Sequence, residues 1–374
     1  MKHFKFNHME WAGAFGDLGT LIPFITAYIA LVHFNPVGLF VMLGILLLVT
    51  GLVFRTPIPV QPMKAIGIVA ASQSHLISQN MVLEAGLVSG VIWLFLAMTG
   101  LIGWVALHIS LEVVAGIILG VGLSFMGEGL RWMAESLTVG LMLLVLTYFS
   151  FVKTQFPVMF GLLLVGFIWM LFGSHDTHSL GTIFHPSFHF PVFKTGFLSL
   201  NHLWQVVFIL ALPQLPLTIG NSCLALAAEN NRVFPDRPVS VNKIAWSLAG
   251  MNLVSPFFGG MPVCHGVGGF AGQVRFGARG GGAPVILGLI LLILGLFFGD
   301  TLARLVLDFP KPVLGVILFV AGGELVFPIL KSLQNKTTQA LAVLLLTGML
   351  TIWNVGIGLV VGLLLDGFLR KAKT

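Results

Sequence analysis

Apolar runs long enough to cross a lipid bilayer follow one another along almost the whole chain, and this pattern leaves few folds open. A helix that crosses a bilayer needs about 20 predominantly apolar residues, whereas an ordinary soluble domain carries about 25% charged residues. Here 57% of the 374 residues are hydrophobic and only 9% are charged. A water-soluble fold is therefore excluded, and the sequence predicts an all-α polytopic membrane protein.

Breaks rich in charge, proline or glycine divide the apolar runs into two groups of seven. The first group falls within residues 1–173 and the second within 203–374, with an extracytoplasmic connecting loop at 174–202. The predicted spans lie at 12–32, 37–54, 61–75, 83–107, 112–127, 136–152 and 156–173, and then at 203–228, 241–257, 262–275, 282–300, 312–330, 337–352 and 354–369. About 14 transmembrane segments are therefore expected, each near the length that a bilayer requires.

The distribution of lysine and arginine indicates which side the termini occupy. With a cytoplasmic N-terminus, alternating the spans places most basic residues in cytoplasmic segments and only Arg131, Lys194, Arg304 and Lys311 outside. Cytoplasmic loops are enriched in positive residues. We therefore expect a protein of the bacterial inner (plasma) membrane with both termini cytoplasmic. The net charge of +6 reflects these loops rather than binding to nucleic acid.

The two groups of spans resemble each other at an offset of about 200 residues. The segment 114–120 (VAGIILG) matches 313–319 (VLGVILF), and 58–60 (IPV) matches 261–263 (MPV). Because each group has an odd number of spans, the second copy would enter the membrane from the opposite face. This predicts an inverted repeat, with the substrate near the middle of the membrane where the two copies meet.

The third and tenth spans are interrupted by proline and glycine. Residues 55–66 read RTPIPVQPMKAI, in which three prolines exclude a regular helix before about residue 62. The counterpart at 255–269 reads SPFFGGMPVCHGVGG. Each predicts a half-length helix whose N-terminus lies inside the membrane, where free N–H groups and the helix dipole favour an anion. Two such ends would form one anion cradle.

Lys64 points most directly to an anionic substrate. An ammonium near the bilayer centre costs about 2.5–3.5 kcal/mol and is seldom kept without a partner, which an anion would supply. The alternatives are that Lys64 snorkels to the cytoplasmic surface or pairs with Asp17. The other expected substrate-binding residues are Gln61, Met63, Ala65, Val263, Cys264, His265 and Gly266 in the two breaks, and Thr20, Gln214, Thr218, Asn221 and Ser222 in the first and eighth spans.

Alternative roles remain open for several of these polar residues. Hydroxyl and amide side chains in membrane spans also serve as interhelical hydrogen bonds. His265 could donate to an oxyanion, gate by protonation or be a structural histidine. Asp17 and Glu324 are candidates for coupling to H⁺ or Na⁺, because an intramembrane carboxylate needs a partner. Glu324 could equally be a helix-end residue in water.

No motif indicates a metal, a cofactor or an enzyme. Cys223 and Cys264 both lie in apolar surroundings, so we expect neither a disulfide framework nor a thiolate site. Histidines 175, 178, 185 and 189 fall in the polar connecting loop without a ligand scaffold. The run 275–282 (RFGARGGG) lacks the ending of a phosphate loop and predicts a cytoplasmic turn. A membrane-embedded enzyme would need a nucleophile–base pair or metal ligands at one depth, and neither is apparent.

Three segments carry a resemblance to a known family. Residues 10–20 (EWAGAFGDLGT), 59–65 (PVQPMKA) and 212–221 (LPQLPLTIGN) resemble the molybdate transporter family, which is related to the sulfate permeases (SulP). The resemblance covers essentially the whole chain. It implies the seven-plus-seven inverted-repeat fold shared with uracil permeases, with a core domain from spans 1–4 and 8–11. Spans 5–7 and 12–14 would form the gate domain and any homodimer contact.

The resemblance also implies where the substrate binds, namely between the third and tenth spans and flanked by the first and eighth. Because the chain ends soon after the last span, we expect none of the soluble C-terminal regulatory domain of the larger sulfate permeases. The sequence thus predicts a secondary transporter for molybdate, or for a similar tetrahedral oxyanion such as tungstate or sulfate, working by alternating access. The alternative is a nucleobase permease or another anion transporter or channel on the same fold. A nucleobase site would favour carboxylates, and the eighth span has none before Glu229.

Overall fold

The chain forms a bundle of helices around one very short pair of strands. The computed structural model describes residues 6–104, 110–153, 158–173, 186–199, 201–307, 309–333 and 336–371. Within these ranges a helix or helical segment lies at each predicted span position. The helices are α1 His8–Ala14, α2 Leu18–Ala30, α3 Pro36–Phe54, α4 Lys64–Ser72, α5 Gln79–Thr99, α6 Leu111–Met133, α7 Leu137–Lys153, α8 Val158–Gly173, α9 Leu203–Val233, α10 Val241–Val254, α11 Val267–Arg275, α12 Gly282–Leu307, α13 Lys311–Ser332, α14 Thr338–Trp353 and α15 Val355–Lys371, and the strands are β1 Gln61–Pro62 and β2 Val263–Cys264.

Fewer helices than the predicted 14 are long enough to cross a membrane by themselves. In the described residues, six helical runs meet the requirement by length and apolar composition: Pro36–Phe54, Gln79–Thr99, Leu111–Phe149, Leu203–Val233, Gly282–Leu305 and Lys311–Ser332. The segments His8–Asp17 and Thr20–Ala30, bent by 48°, would together make a seventh. The protein is therefore an integral membrane protein with several apolar spans.

Helices α4 and α11 are too short to span. Each has nine residues, which rise about 14 Å at 1.5 Å per residue, about half of a hydrocarbon core of roughly 30 Å. The prolines before α4 restrict the preceding backbone to extended conformations, and Gly259, with φ 74°, permits the turn before β2 and α11. Both short helices begin inside the bundle.

Side-chain caps and one left-handed residue set the ends of the helices that precede the breaks. Asn35 Oδ1 accepts a hydrogen bond from Val37 N at 2.8 Å, and Ser240 Oγ accepts one from Lys243 N at 3.1 Å, so α3 and α10 begin at capped positions. At the other end of α3, Arg55 adopts a left-handed conformation with φ 58°. This residue ends the helix and turns the chain into the proline-rich segment.

The long helices pack in pairs that join the two halves of the chain. Helix α3 lies along α12, α5 along α10, and α6 along α13. In the first pair, Gly44 meets Gly288, and a Cβ added to Gly44 would lie 2.7 Å from the Gly288 carbonyl oxygen. Small residues allow helix backbones to approach this closely in membranes. These pairs hold the two broken segments together at the centre of the bundle.

The described part of the connecting segment is attached to helix α12 of the second half. Ser187 N and His189 N donate to the carbonyl oxygens of Phe297 and Leu296 at 2.9 and 2.8 Å, and His189 Nδ1 lies 3.6 Å from Asp300 Oδ2. Histidines 175, 178 and 185 lie outside the described residues. Among the residues that the structure does describe, no three His, Cys, Asp or Glu side chains are grouped as metal ligands.

Candidate anion-binding site

The two broken segments meet in the antiparallel pair of strands β1 and β2, which we call the crossing. Gln61 is paired with Cys264 and Pro62 with Val263. Met63 N also donates to the Pro262 carbonyl oxygen at 2.9 Å. The backbone groups that proline and glycine leave without helical partners are thus partly satisfied across the crossing, as a non-helical backbone inside a membrane requires.

The two half-helices begin directly after this crossing, and their ends differ. Met63 precedes α4 and Gly266 precedes α11, each in an extended conformation and without a side-chain cap. In α4, however, Ala65 N donates to Gln214 Oε1 at 2.8 Å, and Gln214 Nε2 donates to Thr218 Oγ1 at 2.8 Å. Helix α9 therefore already occupies one N–H group of the α4 end.

A cavity of about 390 Å³ adjoins both half-helices. It extends from Lys64 at the start of α4 along α11, from Gly268 to Arg275, and its far wall is part of α13. The lining residues are Gly16, Asp17, Thr20, Phe24, Lys64, Gly268, Gly269, Ala271, Gly272, Arg275, Ala321, Glu324 and Leu325. Four predicted site residues, namely Asp17, Thr20, Lys64 and Glu324, are therefore brought together.

Lys64 is half-buried at this cavity. In the described part of the chain no acidic group lies within the 4.0 Å that defines an ion pair with its ammonium. Asp17 and Glu324 are its longer-range electrostatic partners. A half-buried ammonium held near two carboxylates, but bonded to neither, leaves its donors available to a small anion.

Asp17 is tied to the first broken segment rather than to Lys64. Its buried Oδ1 atom accepts a hydrogen bond from Gln61 Nε2. Gln61 and Asp17 fill the space beside Gly269 of α11, and a Cβ at Gly269 would collide with both side chains. The other carboxylate oxygen of Asp17 and the Oε1 atom of Gln61 are buried without a hydrogen-bond partner among the described residues.

His265 is engaged in holding the two breaks together. Its Nδ1 atom lies 2.7 Å from the Pro59 carbonyl oxygen, and its Nε2 atom lies 3.0 Å from Ser247 Oγ. Both ring nitrogens therefore have protein partners, and the side chain is fully buried. Of the roles left open, this geometry matches the structural histidine.

The remaining predicted residues form the walls of the crossing rather than of the cavity. Ser222 Oγ donates to the His265 carbonyl oxygen, and Cys264 Sγ lies 3.7 Å from the Pro62 carbonyl oxygen. Asn221 is half-buried in a π-helical stretch of α9, Ile219–Ala225. A widened turn of this kind often accompanies a functional site. Met63, Ala65, Val263 and Gly266 are buried in the crossing.

Three residues that matter here were not selected from the sequence. Asn252 clamps β2, because its amide donates to the Val263 carbonyl oxygen at 2.7 Å and accepts from Val263 N at 2.9 Å. Ser247 bonds His265, and Arg275, assigned to a cytoplasmic turn, ends α11 and lines the cavity. Asn252 and Ser247 stand out only as polar residues in the apolar ninth span.

A second cavity, of about 750 Å³, lies between α7 and α13. Apart from Glu324, its lining consists of apolar, aromatic, glycine and threonine residues. Such a lining offers little to a small, strongly hydrated anion, because burying an unpaired charge is costly. The 390 Å³ cavity with Lys64 is therefore the candidate site.

Comparison with known proteins identifies the family. The profile described as "Molybdate transporter of MFS superfamily" matches residues 9–125 and 207–325, more than half of the chain. Molybdate transporter 2 of Arabidopsis thaliana is 30% identical, over 95% of this chain and 87% of that protein. Molybdate transporter 1 of the same plant is also 30% identical, over 97% and 88%. The chain belongs to the molybdate transporter family.

Solved structures show which fold this member of the molybdate transporter family adopts. The transmembrane domain of the cyanobacterial bicarbonate transporter BicA gives a TM-score of 0.69 at 16% identity, covering 94% of this chain and 97% of that one. The murine anion transporter Slc26a9, in its inward-facing state, gives 0.73 at 15% identity, covering 100% and 70%. The fold is therefore the one that BicA and Slc26a9 share.

Proposed function

We propose that this protein is a secondary transporter that carries molybdate, or a similar tetrahedral oxyanion such as tungstate or sulfate, by alternating access. The observation that carries the proposal is Lys64, half-buried at the first residue of a half-helix and facing the 390 Å³ cavity. Relatives named molybdate transporters supply the substrate class. BicA and Slc26a9, named as bicarbonate and anion transporters, have the same fold.

The anion would bind where Lys64 faces the start of α11. Lys64 contributes the charge, Thr20 a hydroxyl donor, and the uncapped α11 end its N–H groups and positive dipole. Asn221, half-buried and beside Gly266, is a further neutral donor. The other predicted residues would shape and support this site. They are Gln61, Met63, Ala65, Gln214, Thr218, Ser222, Val263, Cys264, His265 and Gly266. Lys64 is the cation at the half-helix starts, and the neutral donors around it hold the anion without trapping it.

The inverted repeat of seven plus seven spans, with copies at 1–173 and 203–374, is the arrangement that we propose for the whole chain. Two segments of nearly equal length match the family profile, at 9–125 and 207–325. In such a repeat α3 is equivalent to α10, and α5 is equivalent to α12. The packing of α3 with α12 should therefore be matched by packing of α10 with α5, and both pairs are in contact. The pair β1 and β2 would lie on the pseudo-symmetry axis.

A core of spans 1–4 and 8–11 would move against a gate of spans 5–7 and 12–14. The cavity lies between these groups, because Asp17, Thr20 and Lys64 belong to the core, and Ala321, Glu324 and Leu325 of α13 belong to the gate. Displacement of the core along α13 would close the cavity on one side and open it on the other. Asp17 and Glu324 are the groups proposed to couple this movement to H⁺ or Na⁺.

We retain three further assignments as proposals. The positive-inside pattern favours cytoplasmic termini, and we assign the protein to a bacterial inner membrane. The gate spans would provide the contact of a homodimer. No cofactor and no enzymatic step is needed for this function, because the chemistry is binding and release alone.

Replacement of Lys64 tests the function directly. Lys64→Ala should lower molybdate uptake into proteoliposomes by at least about tenfold, because a hydrogen bond to a charged group contributes about 1.5–3 kcal/mol. Lys64→Arg keeps the charge and should retain part of the uptake. Lys311→Ala is the control, since Lys311 is exposed and pairs with Glu135 at 2.7 Å. Undiminished uptake by well-inserted Lys64→Ala would contradict the proposed site.

Competition binding defines the substrate. Purified protein should bind molybdate, and tungstate or sulfate should displace it if the site reads charge and tetrahedral shape. Uracil should not compete, because the eighth span offers no carboxylate before Glu229 to read ring N–H groups. Direct binding of uracil, with no binding of any oxyanion, would favour the nucleobase permease instead.

A further inference from the structure

Gln61 occupies a position between the proposed coupling carboxylate and the proposed anion site. On one side, its Nε2 atom donates to Asp17 Oδ1. On the other side, its Oε1 atom touches the place where a Cβ of Gly266 would lie, directly before α11. Asn221 Nδ2 lies 3.3 Å from that same point. The terminal amide of one fully buried side chain thus connects Asp17 to the start of the half-helix.

The orientation of this amide has the wrong polarity for an anion. Gln61 Oε1 has no hydrogen-bond partner among the described residues, although it is buried and directed at a helix N-terminus. An oxyanion bound at that end would face this partial negative charge. This arrangement therefore opposes an oxyanion at the α11 end and suits an ionised Asp17, which accepts hydrogen bonds but donates none.

We infer that Gln61 is a switch that links the protonation of Asp17 to oxyanion binding. When Asp17 takes up a proton, its carboxylic acid O–H donates to the amide oxygen of Gln61, and the amide turns by about 180°. The Nε2–H group then faces Gly266 and donates to the oxyanion. The proton comes from water in the cavity that Asp17 lines and returns to water when the anion leaves. One proton thus travels with each anion, which makes the protein a proton–oxyanion symporter.

The other charged and titratable groups around Asp17 have no such connection. Lys64 of α4 and Arg275 of α11 are cations that line the same cavity. Glu324 of α13 faces the cavity from the gate, and Cys264 of β2 lies behind it. Within the described residues, Asp17 is the carboxylate that is bonded to Gln61.

The switch rests on the proposed function and predicts how the affinity for molybdate changes with pH. Since the anion-bound form holds one proton more than the free form, the affinity for molybdate should rise as the pH falls. In the range where free Asp17 is ionised, the dissociation constant for molybdate should fall about tenfold for each unit by which the pH is lowered. Direct repulsion between Asp17 and the anion would give the same trend without Gln61, so the variants must separate the two.

The experiment measures molybdate binding to purified full-length protein by calorimetry from about pH 5 to about pH 9. Gln61→Met keeps the side-chain length but removes both the donor and the acceptor. It should bind more weakly and lose the pH dependence. Gln79→Met is the matched control, because Gln79 also has a buried amide nitrogen without a partner in the described residues, but it lies at the start of α5. This control should keep the wild-type pH dependence.

A second variant keeps the proposal testable if Gln61→Met does not fold. Asp17→Asn carries no charge and leaves the amide of Gln61 free to turn, so it should bind molybdate at high pH at least as tightly as the wild type, with no pH dependence. Loss of binding in this variant would overturn the switch.

The remaining outcomes distinguish a failure of the switch from a failure of the proposed function. Retained pH dependence in Gln61→Met shows direct repulsion and overturns the switch. Wild-type binding that requires Na⁺ and ignores pH also overturns it, although the transporter assignment survives. Absence of molybdate, tungstate and sulfate binding at every pH instead overturns the proposed function.

Discussion

Gly269 shows how little space separates the groups at the centre of this protein. A methyl group there would collide with the Asp17 carboxylate and the Gln61 amide. Gly269 is also in the first turn of α11, so its small size brings the half-helix against both side chains. The geometry of the Asp17 carboxylate, the proposed coupling group, thus depends on a residue that carries no functional group.

Gly269→Ala should therefore destabilise the protein by about 1–3 kcal/mol, the usual cost of overpacking, and should weaken molybdate binding. Gly250→Ala in α10 is the control, because a Cβ there meets no atom within 4 Å. In a helix interior, alanine is otherwise favoured over glycine by roughly 0.5–1 kcal/mol, so this control should be at least as stable as the wild type. Thermal unfolding in detergent measures both. Equal stability of the two variants would contradict the crowding at Gly269.

The sequence identified the polar residues at membrane depth, but not what each of them bonds. It selected Lys64, Thr20, Asp17 and Glu324, and these line one cavity. It could not show that His265 bonds Pro59 and Ser247, or that Gln214 binds Ala65 N. Such partners lie up to about 200 residues away, and apolar spans carry little periodic signal to fix which faces meet.

At the scale of elements, the crossing of β1 and β2 is the feature that organises the site. Prolines and glycines in the sequence predicted both breaks, because proline lacks a backbone N–H donor and both residues favour non-helical backbone. The register of Gln61 with Cys264 was not predictable, since it depends on the clamp formed by Asn252. A two-residue strand has too few hydrogen bonds to fix its own position.

Asn252→Ala should loosen this crossing. It leaves the N–H and C=O groups of Val263 without their side-chain partner, and an unsatisfied buried group costs about 1–3 kcal/mol. We expect a lower unfolding temperature and weaker molybdate binding. Asn201→Ala, at an exposed position, should change neither. If thermal unfolding and calorimetry show no difference between the two variants, the clamp does not hold β2.

At the scale of the whole molecule, the cavity lies between the proposed core and the proposed gate. Leu325 of α13 lines it from the gate side, whereas Leu330 on the same helix is exposed outside it. The native thiols of Cys223 and Cys264 are buried. A water-soluble thiol reagent should therefore report on introduced cysteines with little background.

Leu325→Cys should react with a charged methanethiosulfonate reagent, and the reaction should block uptake. Molybdate should slow this labelling, because it fills the cavity or shifts the core against the gate. Leu330→Cys should show no protection by molybdate, since Leu330 lies outside the cavity lining. Mass spectrometry of the labelled protein measures the rates. Equal rates with and without bound molybdate at Leu325→Cys would place the anion elsewhere.

The strand pair also sets a time order for the synthesis of the protein. Pro62 and Cys264 are 202 residues apart in the chain, and ribosomes add about 5–20 residues per second. The first break must therefore wait roughly 10–40 seconds in or beside the membrane before its partner emerges. During that interval β2 is absent, so the backbone of residues 55–63 lacks its strand partner and Lys64 lacks the second half of its binding site. The nascent first half thus depends on the insertion machinery until the second half arrives.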